Sequence, residues 1–267
     1  MTRIALCLEY DGSAFEGWQT QPHRRTVQDT LEAALTRLAG HPVQTVSAGR
    51  TDSGVHAMAQ IVHFDTEAPR PLTAWVRGTN TWLPKSVAVR WAVEVPADFH
   101  ARFSAQARSY RYVLLNQPTR PAIFSGRVGW FHAPLDGEKM VAAAQALVGE
   151  HDFSAFRSAE CQARSPIRCL ERSQVRQMGN YVVFDFKANG FLHHMVRNLV
   201  GALLFVGKAH VPPSWVAEVL AGRDRSRAAP TFAPDGLYLY GVDYAPDWSL
   251  PDGGRIIALP PIPGIGD

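Results

Sequence analysis

The chain has 267 residues, 46% of them apolar and 19% charged, with a formal net charge of +3 and a pI near 8.9. That is enough apolar chain for one large core or two modest ones, and no apolar run approaches the ~20 residues that a bilayer-spanning helix needs. Cys7, Cys161 and Cys169 form no Cys-x-x-Cys pair, which argues against a disulfide framework and a cysteine zinc site, and for a reduced cytosolic compartment.

The N-terminus runs straight into a strand pattern at Arg3–Tyr10, without a signal-peptide signature. A helix is predicted over Val27–Leu38: Thr26 is a good N-cap, Leu31, Leu35 and Leu38 form a stripe, and Gly40 ends it. Strands follow at about 43–48 and 60–66, then a helix near 71–81 opened by Pro71, then a strand at 87–95. The order is β-α-β-β-α-β. It repeats with a strand at 108–116, a helix at 138–148, a hairpin of 171–177 and 181–188 around Met178-Gly179-Asn180, a helix at 191–206 capped by Asn189, a shorter one at 213–221, and a last strand at 237–243. The expected fold is therefore α+β: two ferredoxin-like units, 1–105 and 106–245, joined into a mostly antiparallel sheet with flanking helices and a central cleft. The Pro/Gly-rich tail 246–267 reads as loop or disorder.

The stretch Gly49-Arg50-Thr51-Asp52-Ser53-Gly54-Val55-His56-Ala57 connects two of these strands. Loops on a rigid sheet are common places for active residues. A carboxylate one residue from an arginine and a hydroxyl can be a nucleophile, a general base or the cap of an Asx-turn. Within 191–206, Arg197 is the one permanent charge between Lys187 and Lys208, and a buried guanidinium calls for an anion: Asp52 or an RNA phosphate, unless the side chain snorkels outward. His193 and His194 are adjacent, so on a helix they point apart; packing or RNA contact is favoured over a metal.

Of the 27 basic residues 23 are Arg, whose guanidinium pairs bidentately with phosphate and stacks on bases. They cluster at His23-Arg24-Arg25, at Arg108 and Arg111, through Arg157, Arg164, Arg168, Arg172 and Arg176, and at Arg223–Arg227. In a strand, Arg108, Tyr110 and Tyr112 share one face, which makes either a base-stacking surface or an ordinary amphipathic strand. Trp18, in Gly17-Trp18-Gln19 after the first strand, is a candidate exposed aromatic. These residues suit an RNA-binding module as well as an enzyme. A hydrolase with an aspartyl intermediate, an N-glycosidase or a phosphatase, is a third reading, although phosphatases of that type want a metal and more carboxylates than Asp52 has around it, with no other acidic residue between Glu32 and Asp65.

Taken together, Glu9-Tyr10-Asp11-Gly12, Gly49–Ala57, Phe99-His100-Ala101-Arg102-Phe103-Ser104, Arg108–Tyr112, His151–Phe156, Gly190–Arg197 and Gly236-Leu237-Tyr238-Leu239 resemble the TruA-type tRNA pseudouridine synthases over nearly the full length. The resemblance implies isomerisation of uridine to pseudouridine in the tRNA anticodon stem-loop. It implies Asp52 as nucleophile, a homodimer, tRNA as partner and no cofactor; the match also covers Tyr110, and the residues themselves add Arg50 and Arg197 as candidate substrate contacts and show no metal motif.

Overall fold

The computed structural model describes residues 1–251. In chain order its elements are β1 (Thr2–Tyr10), α1 (Val27–Ala39), β2 (Val46–Ser47), β3 (His56–Thr66), α2 (Leu72–Trp82), β4 (Val87–Val95), β5 (Ala105–Asn116), β6 (Gly129–Phe131), α3 (Gly137–Gln145), β7 (Gly149–Asp152), β8 (Ile167–Met178), β9 (Tyr181–Ala188), α4 (Met195–Gly207), α5 (Ser214–Gly222) and β10 (Leu237–Tyr244). The fold is mixed α and β, with mostly antiparallel ladders. Two compact units emerge, one of residues 1–107 with 238–251 and one of residues 108–237.

In the first unit β1 is central, antiparallel to β3 on one side and to β4 on the other. Ile4 through Leu8 are all buried, so both faces of β1 are covered. The far side of β3 carries two short partners: β2 antiparallel at Val62 and His63, and β10 parallel at His56 and Ala57. Helix α1 starts where its residues say it should. The Thr26 hydroxyl accepts the Asp29 N–H at 3.2 Å, Leu31 and Leu35 are buried, and Gly40 closes the helix. Helix α2 packs beside α1 and β4, and its Trp75 meets Phe64 edge-on at 5.1 Å.

The second unit departs from the expected repeat. Its sheet runs β5-β9-β8-β7, with β6 parallel to β5. β6 and β7 have three and four residues, too short to produce a visible alternation. β10, expected to complete this unit, groups from Tyr238 onward with the first, because its ladder to β3 lies there. Helix α4 begins at Met195, four residues later than expected, and His194, not Asn189, occupies its N-cap in the left-handed region. Asn189 is already committed to the sheet: its side-chain oxygen accepts the Cys169 N–H at 3.1 Å, and its carbonyl accepts from Arg108 Nη1 at 3.1 Å. Once formed, α4 is buried nearly all round, as its apolar composition predicts.

The tail expected at 246–267 begins as ordered chain. Pro246–Trp248 makes a short 3₁₀ turn, and Trp248 packs on Phe99 at 5.3 Å; residues 252–267 lie outside the described ones.

Candidate active site

Asp52 sits in a turn closed by the Val55 N–H donating to its own carbonyl at 3.1 Å. The residue is half-buried, with Thr51 and Val55 buried beside it and Arg50 exposed. The string is not wholly a connection, because His56 and Ala57 already belong to β3.

The turn is braced from residues 10–18. The hydroxyls of Tyr10 and Thr51 share a 2.8 Å hydrogen bond in the interior, and burial pushes the Tyr10 phenol up to about 12, so it stays protonated at neutral pH. Gln60, itself fully buried, donates to the Gly49 carbonyl at 2.6 Å and, at 3.5 Å, to the Tyr10 oxygen. The Trp18 N–H donates to the Thr51 carbonyl at 3.0 Å, and the Gly54 N–H donates to the Phe15 carbonyl at 3.4 Å. Two glycines make these approaches possible. A Cβ on Gly12 would lie 2.0 Å from the Val55 oxygen, and one on Gly17, at φ +89°, would lie 2.9 Å from the Thr51 oxygen. Trp18 is therefore a core residue at 1% exposure, not an exposed base-stacking group; its ring lies 6.1 Å from that of Tyr10.

His56 anchors the other end of the string. Its Nδ1 accepts the Gly12 N–H at 3.0 Å and lies 3.3 Å from the Asp11 carboxylate, and its ring stacks on Tyr238 at 4.6 Å. The distant segments Glu9–Gly12 and Gly236–Leu239 thus converge on the backbone that carries Asp52. Sequence reasoning valued Glu9–Gly12 only as part of a resemblance; the signal was a tyrosine and two glycines just after an apolar strand.

Tyr110 and Arg197 belong to the second unit. Tyr110, on β5 opposite Phe186, is 8% exposed, with Phe191 edge-on to its ring at 5.0 Å. Tyr112 shares the face but is fully buried, its hydroxyl donating to the Ala233 carbonyl at 3.0 Å, so the expected stacking stripe narrows to Tyr110 with Arg108 beside it. Arg111 points the other way. It forks onto Asp185, Nη2 to Oδ2 at 3.1 Å, and Arg176 reaches the same carboxylate at 2.9 Å.

Arg197 stands in the first turn of α4, half-buried, its Nε donating to the Phe232 carbonyl at 2.8 Å. Segment 229–233 is pinned there by a polar network that the sequence did not suggest. Asn198, with no exposed surface, donates to the Phe156 carbonyl at 2.8 Å and accepts from Thr231 Oγ1 at 2.6 Å and Arg225 Nη2 at 3.1 Å. His193 and His194 form the turn before the helix, their rings 4.0 Å apart, and so are not helical residues pointing apart. Several clustered arginines are thus structural: Arg225 and Arg176 by the bonds above, and Arg168 by donating to the carbonyls of Ser165 and Ile167 at 3.0 and 2.6 Å.

The tRNA pseudouridine synthase family matches residues 6–104 and 143–245. A tRNA pseudouridine synthase A from Aromatoleum aromaticum is 62% identical, covering 98% of this chain and 100% of its own length. The enzyme of that name from Dechloromonas aromatica is 60% identical, covering 94% and 95%. The crystal structure of a Cbf5-Nop10-Gar1 complex is a remote likeness, with a TM-score of 0.35 and 12% identity over 75% of this chain and 54% of its own.

Proposed function

Since the chain belongs to the tRNA pseudouridine synthase family, we propose that it uses Asp52 as the nucleophile on uridines of the anticodon stem-loop. The protein is an isomerase that converts uridine to pseudouridine in tRNA. The observation that supports Asp52 is its setting: a half-buried carboxylate on a turn held by hydrogen bonds from Tyr10, Trp18 and Gln60. The backbone that carries the carboxylate is thus held in place before substrate arrives, which suits a reaction with a short-lived intermediate.

In the net reaction the C1′–N1 bond breaks, a C1′–C5 bond forms, C5 loses its proton and N1 gains one. A carboxylate can assist in two ways. It can add to C1′, releasing the base until C5 attacks and displaces the aspartyl ester. Alternatively it can add to C6, making C5 nucleophilic, and leave after the glycosidic bond has moved. Both routes use the carboxylate of Asp52 as the attacking group. The uridine must leave its stack to be reached. Tyr110, whose ring lies 5.0 Å from that of Phe191, is suited to hold the extruded base, and Arg197 is suited to a phosphate. Holding the base is the role proposed for the Tyr110 ring.

The reading extends to a homodimer in the cytoplasm that needs no cofactor. The three cysteines are free thiols, and among the described residues no helix is long and apolar enough to cross a membrane.

The decisive experiment is Asp52→Asn, which keeps the size of the side chain and removes its charge. Incubated with unmodified tRNA, it should yield no pseudouridine on nucleoside analysis, while its tRNA affinity stays within about tenfold of the parent, ~1.4 kcal/mol. Turnover near the parent rate would remove Asp52 from the chemistry.

A further inference from the structure

Phe103 is the most exposed of the large aromatics described, at 75%, against 54% for Trp82 and 37% for Trp130. A single exposed phenylalanine is ordinary. What sets this one apart is the turn built beneath it. Arg3 forks onto Asp65, with both bonds at 2.7 Å, and its Nη1 also donates to the carbonyls of Ala97 and, at 2.9 Å, Phe99. The Ala101 N–H donates to His63 Nδ1 at 3.1 Å, and the Ala101 carbonyl accepts from the buried Tyr244 hydroxyl at 2.6 Å. Phe99 is fully buried against Tyr244 and Trp248.

At the tip, His100 Nδ1 accepts the N–H groups of both Arg102 and Phe103 at 3.2 Å, and Ser104 donates back to the His100 carbonyl at 2.8 Å. The Phe103 ring stacks on the His100 imidazole, with centroids 4.3 Å apart at 28°, and the Arg102 guanidinium lies over the Phe103 ring at 5.6 Å from its centroid. Burial pushes His100 below its ordinary pKa, which keeps Nδ1 an acceptor and the stack neutral at the imidazole.

We propose that Phe103 is a stacking contact for an unpaired nucleobase of the tRNA, with Arg102 as its phosphate-attracting neighbour. The ring is fixed before binding, so a base stacking on it orders no side chain. Every base offers a π face, and a guanidinium next to the ring draws the polyanionic backbone toward it. The inference rests on tRNA as substrate and not on Asp52, so its test is binding, independent of turnover.

Filter binding of an unmodified tRNA transcript at fixed salt is compared for Phe103→Ala, Phe103→Leu and Phe103→Trp, with light scattering on each free protein. Base stacking is worth ~1–3 kcal/mol, so Ala and Leu should bind about 5- to 150-fold more weakly, and Trp should bind within about twofold of the parent. Ala binding within about twofold of the parent would overturn the proposal. So would Leu binding like the parent, since an apolar contact would then suffice. A change of mass in solution for Phe103→Ala would overturn it too, because the ring would then cover a second copy of the chain.

Discussion

Tyr10→Phe deletes one oxygen and keeps the ring that meets Trp18. It removes the 2.8 Å bond to the Thr51 hydroxyl and the longer one from Gln60, whose amide keeps the Gly49 carbonyl. Thr51 is 6% exposed, so water cannot readily replace the lost partner. A buried group left unsatisfied costs ~1–3 kcal/mol. About 2 kcal/mol is expected here, a fall in Tm of roughly 4–8 °C at ~2–4 °C per kcal/mol for a chain of this size. The effect on rate should be larger in proportion, because Thr51 is bonded directly to Asp52 and a displacement of ~1 Å in a reacting group can cost ~100-fold. Single-turnover pseudouridine formation should therefore fall about 10- to 100-fold, with tRNA affinity changed less than about twofold. Thr51→Val should do the same, and the double variant should be little worse than either single one, since both remove one interaction. A Tyr10→Phe protein that melts lower but reacts at the parent rate would refute the idea that this bond places the carboxylate.

Tyr110→Phe should retain most activity if the ring holds the base, whereas Tyr110→Ala should lose ~1–3 kcal/mol of substrate binding, read from single-turnover kinetics and affinity on both variants. Asp185→Ala should destabilise the protein by about 3 kcal/mol in urea unfolding, the lower end of the range for breaking a buried pair, because Arg176 keeps 47% of its side chain in water. His63 titrates near 4 instead of 6.5, chiefly because it is buried and secondarily because Arg3 is close. Its neutral form is the folded one, so its share of the stability is whole above pH 6.5 and is lost as the pH falls toward 4. Replacing it by Gln, an acceptor that does not titrate, should flatten the loss of stability measured by urea unfolding between those pH values.

Much of this molecule is written locally. Helix α1 could be read from its cap, its leucine stripe and its closing glycine because each acts within a few residues. The β8–β9 hairpin and β4 were legible for the same reason. The Asp52 loop was visible as a polar string between two strands, and its meaning came from several motifs recurring in order. The sequence could not show which residues hold that loop. Tyr10 and Thr51 are 41 positions apart, and His56 and Tyr238 meet only because β10 lies parallel to β3.

Chain folding also separated residues that looked alike. Trp18 went inside, Tyr112 was buried beneath Ala233, and Arg111, Arg176 and Arg225 were drawn into buried polar contacts. Residue type and spacing set what a side chain can do. Whether an arginine meets an RNA or a buried carboxylate depends on which strands become neighbours, and that is decided by long-range pairing that no window of sequence contains.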